Sequence, residues 1–184
     1  IELWAKVLRA VPDSKLLLKY YNYYREPSMS GQWTSRFKKI GISEDRLIFQ
    51  FNSDNRQNHL ALYEQIDISL DPFPFNGATT TFEALSMGVP VVSLLGKHFV
   101  DRVAASIVSH AGYPEFAAKT KKDYVKLAKN LASDIDNLNK LRLSMREKLH
   151  KSKLCDAEPY CRNIESAFRD MWTTWCKTGG YKGN

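Results

Sequence analysis

No Gly-x-Gly-x-x-Gly follows an apolar run in this sequence and no Gly-Lys-Ser/Thr closes one, so the two commonest glycine-rich cradles for nucleotide phosphates are missing. Nicotinamide and ATP chemistry are poorly supported on that ground. A Gly-x-Ser-x-Gly elbow is absent as well, and no nucleophile stands with its base. Histidines and carboxylates do not cluster at metal-ligand spacing, which predicts no metal site. Cysteine is scarce: Cys155, Cys161 and Cys176 all lie in the last thirty residues and make neither an even framework nor a Cys-x-x-Cys pair. Reduced thiols in a cytoplasmic setting are the expectation. No apolar run approaches the roughly 20 residues that span a bilayer, and the N-terminus is unlike a signal sequence, so no membrane partner is expected.

What is present is 184 residues, enough for one domain or one lobe of a larger enzyme. The net charge of +7 is confined to one stretch. Residues 119 to 153 carry eleven Lys or Arg against four Asp or Glu, which leaves sixteen of each sign elsewhere. Apolar residues recur through that stretch at helical spacing (Tyr124, Leu127, Leu131, then Leu138, Leu141, Met145), so the lysines fall on the outward face. Nucleic acid is not the expected partner, because no aromatic side chains interleave the basic ones as a single-strand binder requires.

Along the chain, helical and strand patterns alternate. Helices are predicted at 1–10, 32–40, 55–65, 80–87 and 100–110, and strands at 15–20, 46–51, 66–70 and 91–95, with an aromatic stretch at 20–26 and a loop at Pro27. After Pro114 the pattern is all helix, at 121–133, 135–151 and 160–176. Such alternation implies an α/β fold, a Rossmann-like parallel sheet with helices on both faces and a helical C-terminal extension. The expected division is a Rossmann-like core at 1–118, helices packing on the same domain at 119–176, and a flexible tail at 177–184. Ligands of such folds sit beyond the carboxyl ends of the strands.

The most informative segment is Ile66 to Glu83: a buried strand, a Pro/Gly turn, and a helix that opens on three threonines. Helix N-termini present unpaired N–H groups and the positive end of the macrodipole, so Asn76, Gly77, Ala78, Thr79, Thr80 and Thr81 read as a diphosphate seat. Thr80-x-x-Glu83 also reads as a capping box. Glu83, one turn into the helix, would accept the hydroxyls of a ribose; His59 and Arg56 follow the strand ending at Phe51 and would project from the same edge. Lys97 and His98 follow the strand at 91–95 and read as either crevice or solvated loop.

Asp71-Pro72-Phe73-Pro74-Phe75-Asn76-Gly77-Ala78-Thr79-Thr80-Thr81-Phe82-Glu83-Ala84-Leu85-Ser86-Met87-Gly88-Val89-Pro90-Val91-Val92 resembles the donor-site segment of the O-GlcNAc transferase and SPINDLY-type enzymes, glycosyltransferase family 41. Trp4-Ala5-x-Val7-Leu8-x-x-Val11-Pro12-x-Ser14, Arg102-Val103-Ala104-Ala105-Ser106 and Tyr160 to Trp172 extend the likeness over nearly the whole chain. The resemblance implies the C-terminal lobe of a GT-B glycosyltransferase. That lobe binds a UDP-sugar or GDP-sugar, and the enzyme transfers the sugar to a protein Ser or Thr hydroxyl with no metal or other cofactor. By position, Thr79 and Thr80 would hold the pyrophosphate, Glu83 would replace a ribose-binding Asp, His59 would match a base-facing His, and Arg56 would lie near the nucleoside. Ala78 stands where many members have His, a small residue found in SPINDLY-like relatives.

Ile1 falls just after the place where the family's phosphate-binding Lys and the first strand of this lobe would lie. The resemblance therefore implies a fragment, inactive alone and carrying no catalytic residue, whose protein acceptor would be met by a missing N-terminal lobe and tetratricopeptide repeats. Two other readings stay open from the residues: a nucleotide-sugar epimerase lobe, and a non-catalytic module whose basic helices contact an acidic partner.

Overall fold

Val91–Leu94 forms a strand buried on both faces, the mark of a central strand in a parallel sheet. In the computed structural model, which describes residues 1–51 and 55–179, that strand is β4. The order is α1 (Glu2–Ala10), β1 (Leu16–Lys19), α2 (Pro27–Lys39), β2 (Leu47–Gln50), α3 (Arg56–Ala61), β3 (Ser69–Leu70), α4 (Thr79–Ser86), β4, α5 (Val103–His110), β5 (Ala117–Ala118), α6 (Lys121–Ser133), α7 (Ile135–His150) and α8 (Ala157–Thr178). All strand pairs among the described residues are parallel, in two pieces ordered β1-β2 and β3-β4-β5. This is the α/β architecture the alternation predicts.

Helices cover both faces, and β4 shows why. Val91 packs in a core with Leu85 of α4, Val108 of α5 and Met145 of α7, whereas Val92 and Leu94 pack with Val7 of α1 and Tyr124 and Ala128 of α6. Period-two alternation thus sends successive valines into opposite cores. A third core gathers Leu16 and Leu18 of β1 with Ala5 and Leu8 of α1, Phe37 of α2 and Leu47 of β2.

Four expectations need correction. Pro27 is not a loop residue but the first residue of α2, where its fixed φ suits a helix start and its missing N–H costs nothing. The strand expected at 66–70 pairs only at Ser69 and Leu70, opposite Val91 and Val92, because Pro90, just before that neighbour, has no N–H to donate. The region after Pro114 is not all helix: Ala117 and Ala118 pair with Ser93 and Leu94. The last helix starts at Ala157, runs 22 residues, and has every one of them exposed, including Phe168, Trp172 and Trp175. No described helix is long and apolar enough to cross a membrane. The expected flexible tail falls largely on residues 180–184, outside the described residues.

Candidate functional site

Leu70 ends β3 level with Val92, so the chain that follows bends above the carboxyl edge of the sheet. The bend is held from inside. The Asp71 carboxylate is buried and accepts the Gly77 amide and the Ser93 hydroxyl, each at 2.8 Å, while its carbonyl accepts the Tyr124 phenol at 3.1 Å. Burial pushes the Asp71 carboxyl up to about 6, although the Gly77 N–H and Ser93 hydroxyl both favour the anion. Asn76 is buried too; its side-chain amide donates to the Pro72 carbonyl at 3.1 Å and its backbone N–H to the Val100 carbonyl at 2.9 Å. Gly77 is required here, since a Cβ would strike the Thr80 hydroxyl.

α4 springs from this turn with Ala78 at its N-cap and no side chain capping it. The capping box that the spacing suggested is therefore not formed. Among the described residues no acceptor meets the N–H groups of Ala78, Thr79 and Thr80, and all three residues are exposed. Open donors at the positive end of a helix are what an anion needs. Thr81 differs from its neighbours: its side chain is buried, and its hydroxyl donates to the Gly77 carbonyl at 2.9 Å. Asn76 and Thr81 hold the turn, and Ala78, Thr79 and Thr80 face outward from it.

Glu83, free of the cap, meets residues from other elements. His59 of α3 places Nε2 at 2.9 Å from Glu83 Oε2, and the Tyr63 phenol donates to the same oxygen at 3.3 Å and to the Thr80 carbonyl at 3.3 Å. Burial, then the Glu83 charge, raises the Tyr63 phenol above its usual range, so it stays a donor. Lys19, the last residue of β1, sits 2.5 Å from His59 Nδ1. Burial lowers the Lys19 ammonium from its usual value, and Glu83 opposes that shift. A hollow of about 320 Å³ opens beside it, lined also by Gln50, Phe51, Asn58 and Leu62.

The structure thus brings Glu83 and His59 together beside the open helix start. Arg56 lies exposed at the first position of α3, outside that chain of contacts. His98 and Lys97 serve their own loop: His98 is 83% exposed and its N–H donates to buried Asp101 at 2.6 Å. Sequence reasoning missed Lys19, Tyr63, Asp71 and Ser93. Lys19 and Asp71 carried a signal, as polar residues closing apolar strands at the edge where ligands bind; Tyr63 and Ser93 carried none.

Residues 1–164 match the family described as Glycosyl transferase family 41. A barley (Hordeum vulgare) protein named "Probable UDP-N-acetylglucosamine--peptide N-acetylglucosaminyltransferase SPINDLY" is 38% identical over 180 residues, which is 96% of this chain and 18% of the relative. A Caenorhabditis elegans UDP-N-acetylglucosamine--peptide N-acetylglucosaminyltransferase is 31% identical over 172 residues, 94% of this chain and 14% of the relative. Among solved structures, a Thermobaculum terrenum O-GlcNAc transferase mutant superposes with a TM-score of 0.89 at 34% identity, covering 97% of this chain and 34% of its own. The chain spans less than a fifth of the length of these two curated relatives.

Proposed function

The chain belongs to glycosyl transferase family 41, and from that premise we propose that it is the donor-binding lobe of a protein O-glycosyltransferase. The donor is a UDP-sugar or GDP-sugar, the acceptor a Ser or Thr hydroxyl of a protein, and no metal takes part. One observation carries the reading: unpaired amides at the start of α4 stand one helical turn from a carboxylate already oriented by His59 and Tyr63.

Each residue has a part in that site. The amides of Ala78, Thr79 and Thr80, with the Thr79 and Thr80 hydroxyls, seat the diphosphate; Gly77 leaves room for the Thr80 hydroxyl, and Asn76 and Thr81 brace the turn. Glu83 accepts the ribose diol through Oε1, which has no partner among the described residues. His59 and Arg56 flank the nucleoside. As the glycosidic bond breaks, the departing diphosphate gains charge, so donors fixed at the helix start stabilise the transition state more than the ground state. The acceptor's base is assigned to no residue of this chain, and the relatives' greater length supports a partner lobe and tetratricopeptide repeats as its source and as the protein-binding part. The chain then binds a nucleotide without transferring sugar by itself. A cytoplasmic setting suits its three exposed free thiols.

Calorimetric titration with UDP and with GDP tests the reading. Thr80→Val and Glu83→Ala should each weaken binding about tenfold while the far-UV spectrum and melting stay near wild type. A folded wild type that binds neither nucleotide, or variants that bind as well as it does, would remove the donor site.

A further inference from the structure

Lys19 has no role in the site as described so far, yet it ends β1 with its Nζ against the His59 ring. An ammonium has donors and no acceptor, so His59 Nδ1 must present a lone pair and the ring's proton must sit on Nε2. A carboxylate only accepts, so the 2.9 Å contact between Nε2 and Glu83 Oε2 demands that same proton. A strand end and a helix side thus impose one tautomer from opposite sides of the ring. The ring's plane is fixed in turn by Tyr63, whose ring lies edge-on to it at 6.1 Å and 89°.

We infer that Lys19 is a positioning residue for donor binding: it locks His59 as the Nε2–H donor that pins Oε2 of Glu83, which leaves Oε1 as the acceptor for a sugar diol. The consequence for a ligand rests on the donor-site reading above; the lock itself is a property of the unliganded protein. Lys19 acts through His59 and not on the phosphates, and this separates it from an ordinary phosphate-binding lysine, whose effect would be independent of the imidazole.

Two measurements decide the matter. Long-range ¹H–¹⁵N correlation on protein labelled at histidine, with the His59 signal identified by its loss in His59→Phe, should show the proton on Nε2 in the unliganded wild type. Titrations should show UDP and GDP binding about tenfold weaker in Lys19→Met, nearly restored in Lys19→Arg, and no weaker in His59→Phe/Lys19→Met than in His59→Phe alone. A proton on Nδ1, or a Lys19→Met loss that persists in full without the imidazole, overturns the inference. Should wild type bind neither nucleotide, the donor-site reading fails; the tautomer still decides the lock, upheld by Nε2–H and refuted by Nδ1–H.

Discussion

Asp71 is the residue on which the turn depends, and it is a buried carboxyl. It keeps its proton up to about pH 6, whereas its ordinary value is 3.8. A group whose value is raised on folding contributes stability that is fully present below the unfolded value and lost as pH rises through the folded one. The window therefore runs from about pH 4 to about pH 6, and the contribution at stake is on the order of 3 kcal/mol. Asp71→Asn can still accept the Gly77 N–H through its oxygen and donate to Ser93 through its nitrogen, but it does not titrate. Denaturant unfolding at pH 4, 5, 6 and 7 should show wild type gaining stability relative to this variant as the pH falls. A difference that stays constant across that range would mean Asp71 is ionised throughout.

Among the elements, α4 and α6 matter most to the site, and they are tied through Asp71, just after β3. The phenol of Tyr124, fully buried on α6, crosses to the Asp71 carbonyl at 3.1 Å, so a helix far along the chain steadies the turn from which α4 starts. Tyr124→Phe keeps the packing and removes that bond together with the phenol's contact to Trp4. It should cost about 1 kcal/mol in denaturant unfolding and a few-fold in nucleotide affinity. An unchanged midpoint and affinity would show that the turn does not need the tie. α8 behaves otherwise: its apolar residues recur at helical spacing as the sequence showed, yet Trp172 stays 66% exposed and Phe168 64%. Periodicity reveals that a helix has an apolar face, but burial depends on what lies opposite.

At the scale of the whole molecule, part of the charge excess lines a groove of its own. Lys6 of α1 and Lys121, Lys122, Lys126 and Lys129 of α6 surround Val125 on the groove where α1 and α6 meet, whereas the turn and Glu83 lie at the carboxyl edge of the sheet. Clustered lysines of this kind give salt-dependent, sequence-independent attraction to polyanions. Reversing Lys122 and Lys126 to Glu should abolish retention on heparin at low salt and leave UDP or GDP affinity within about twofold of wild type, because neither lysine bonds the turn or Glu83. Loss of nucleotide binding in that variant would mean the basic face and the crevice are coupled.

Some of this was decided by local chemistry. Val91-Val92-Ser93-Leu94, β-branched and following Gly88 and Pro90, favours a strand covered on both faces, and Asn76-Gly77 before three threonines favours a turn feeding a helix, because these preferences act within a few residues. The turn and the start of α4 were legible for that reason. Whether Glu83 capped its own helix or faced another element was not, since both outcomes use the same spacing; only the packing of α3 beside α4 handed its carboxylate to His59 and Tyr63. The same holds for Lys19, 40 positions before His59, and for Asp71, 22 before Ser93. Contacts between residues so far apart in the chain are set by how strands order and helices cross, and no local pattern encodes that order.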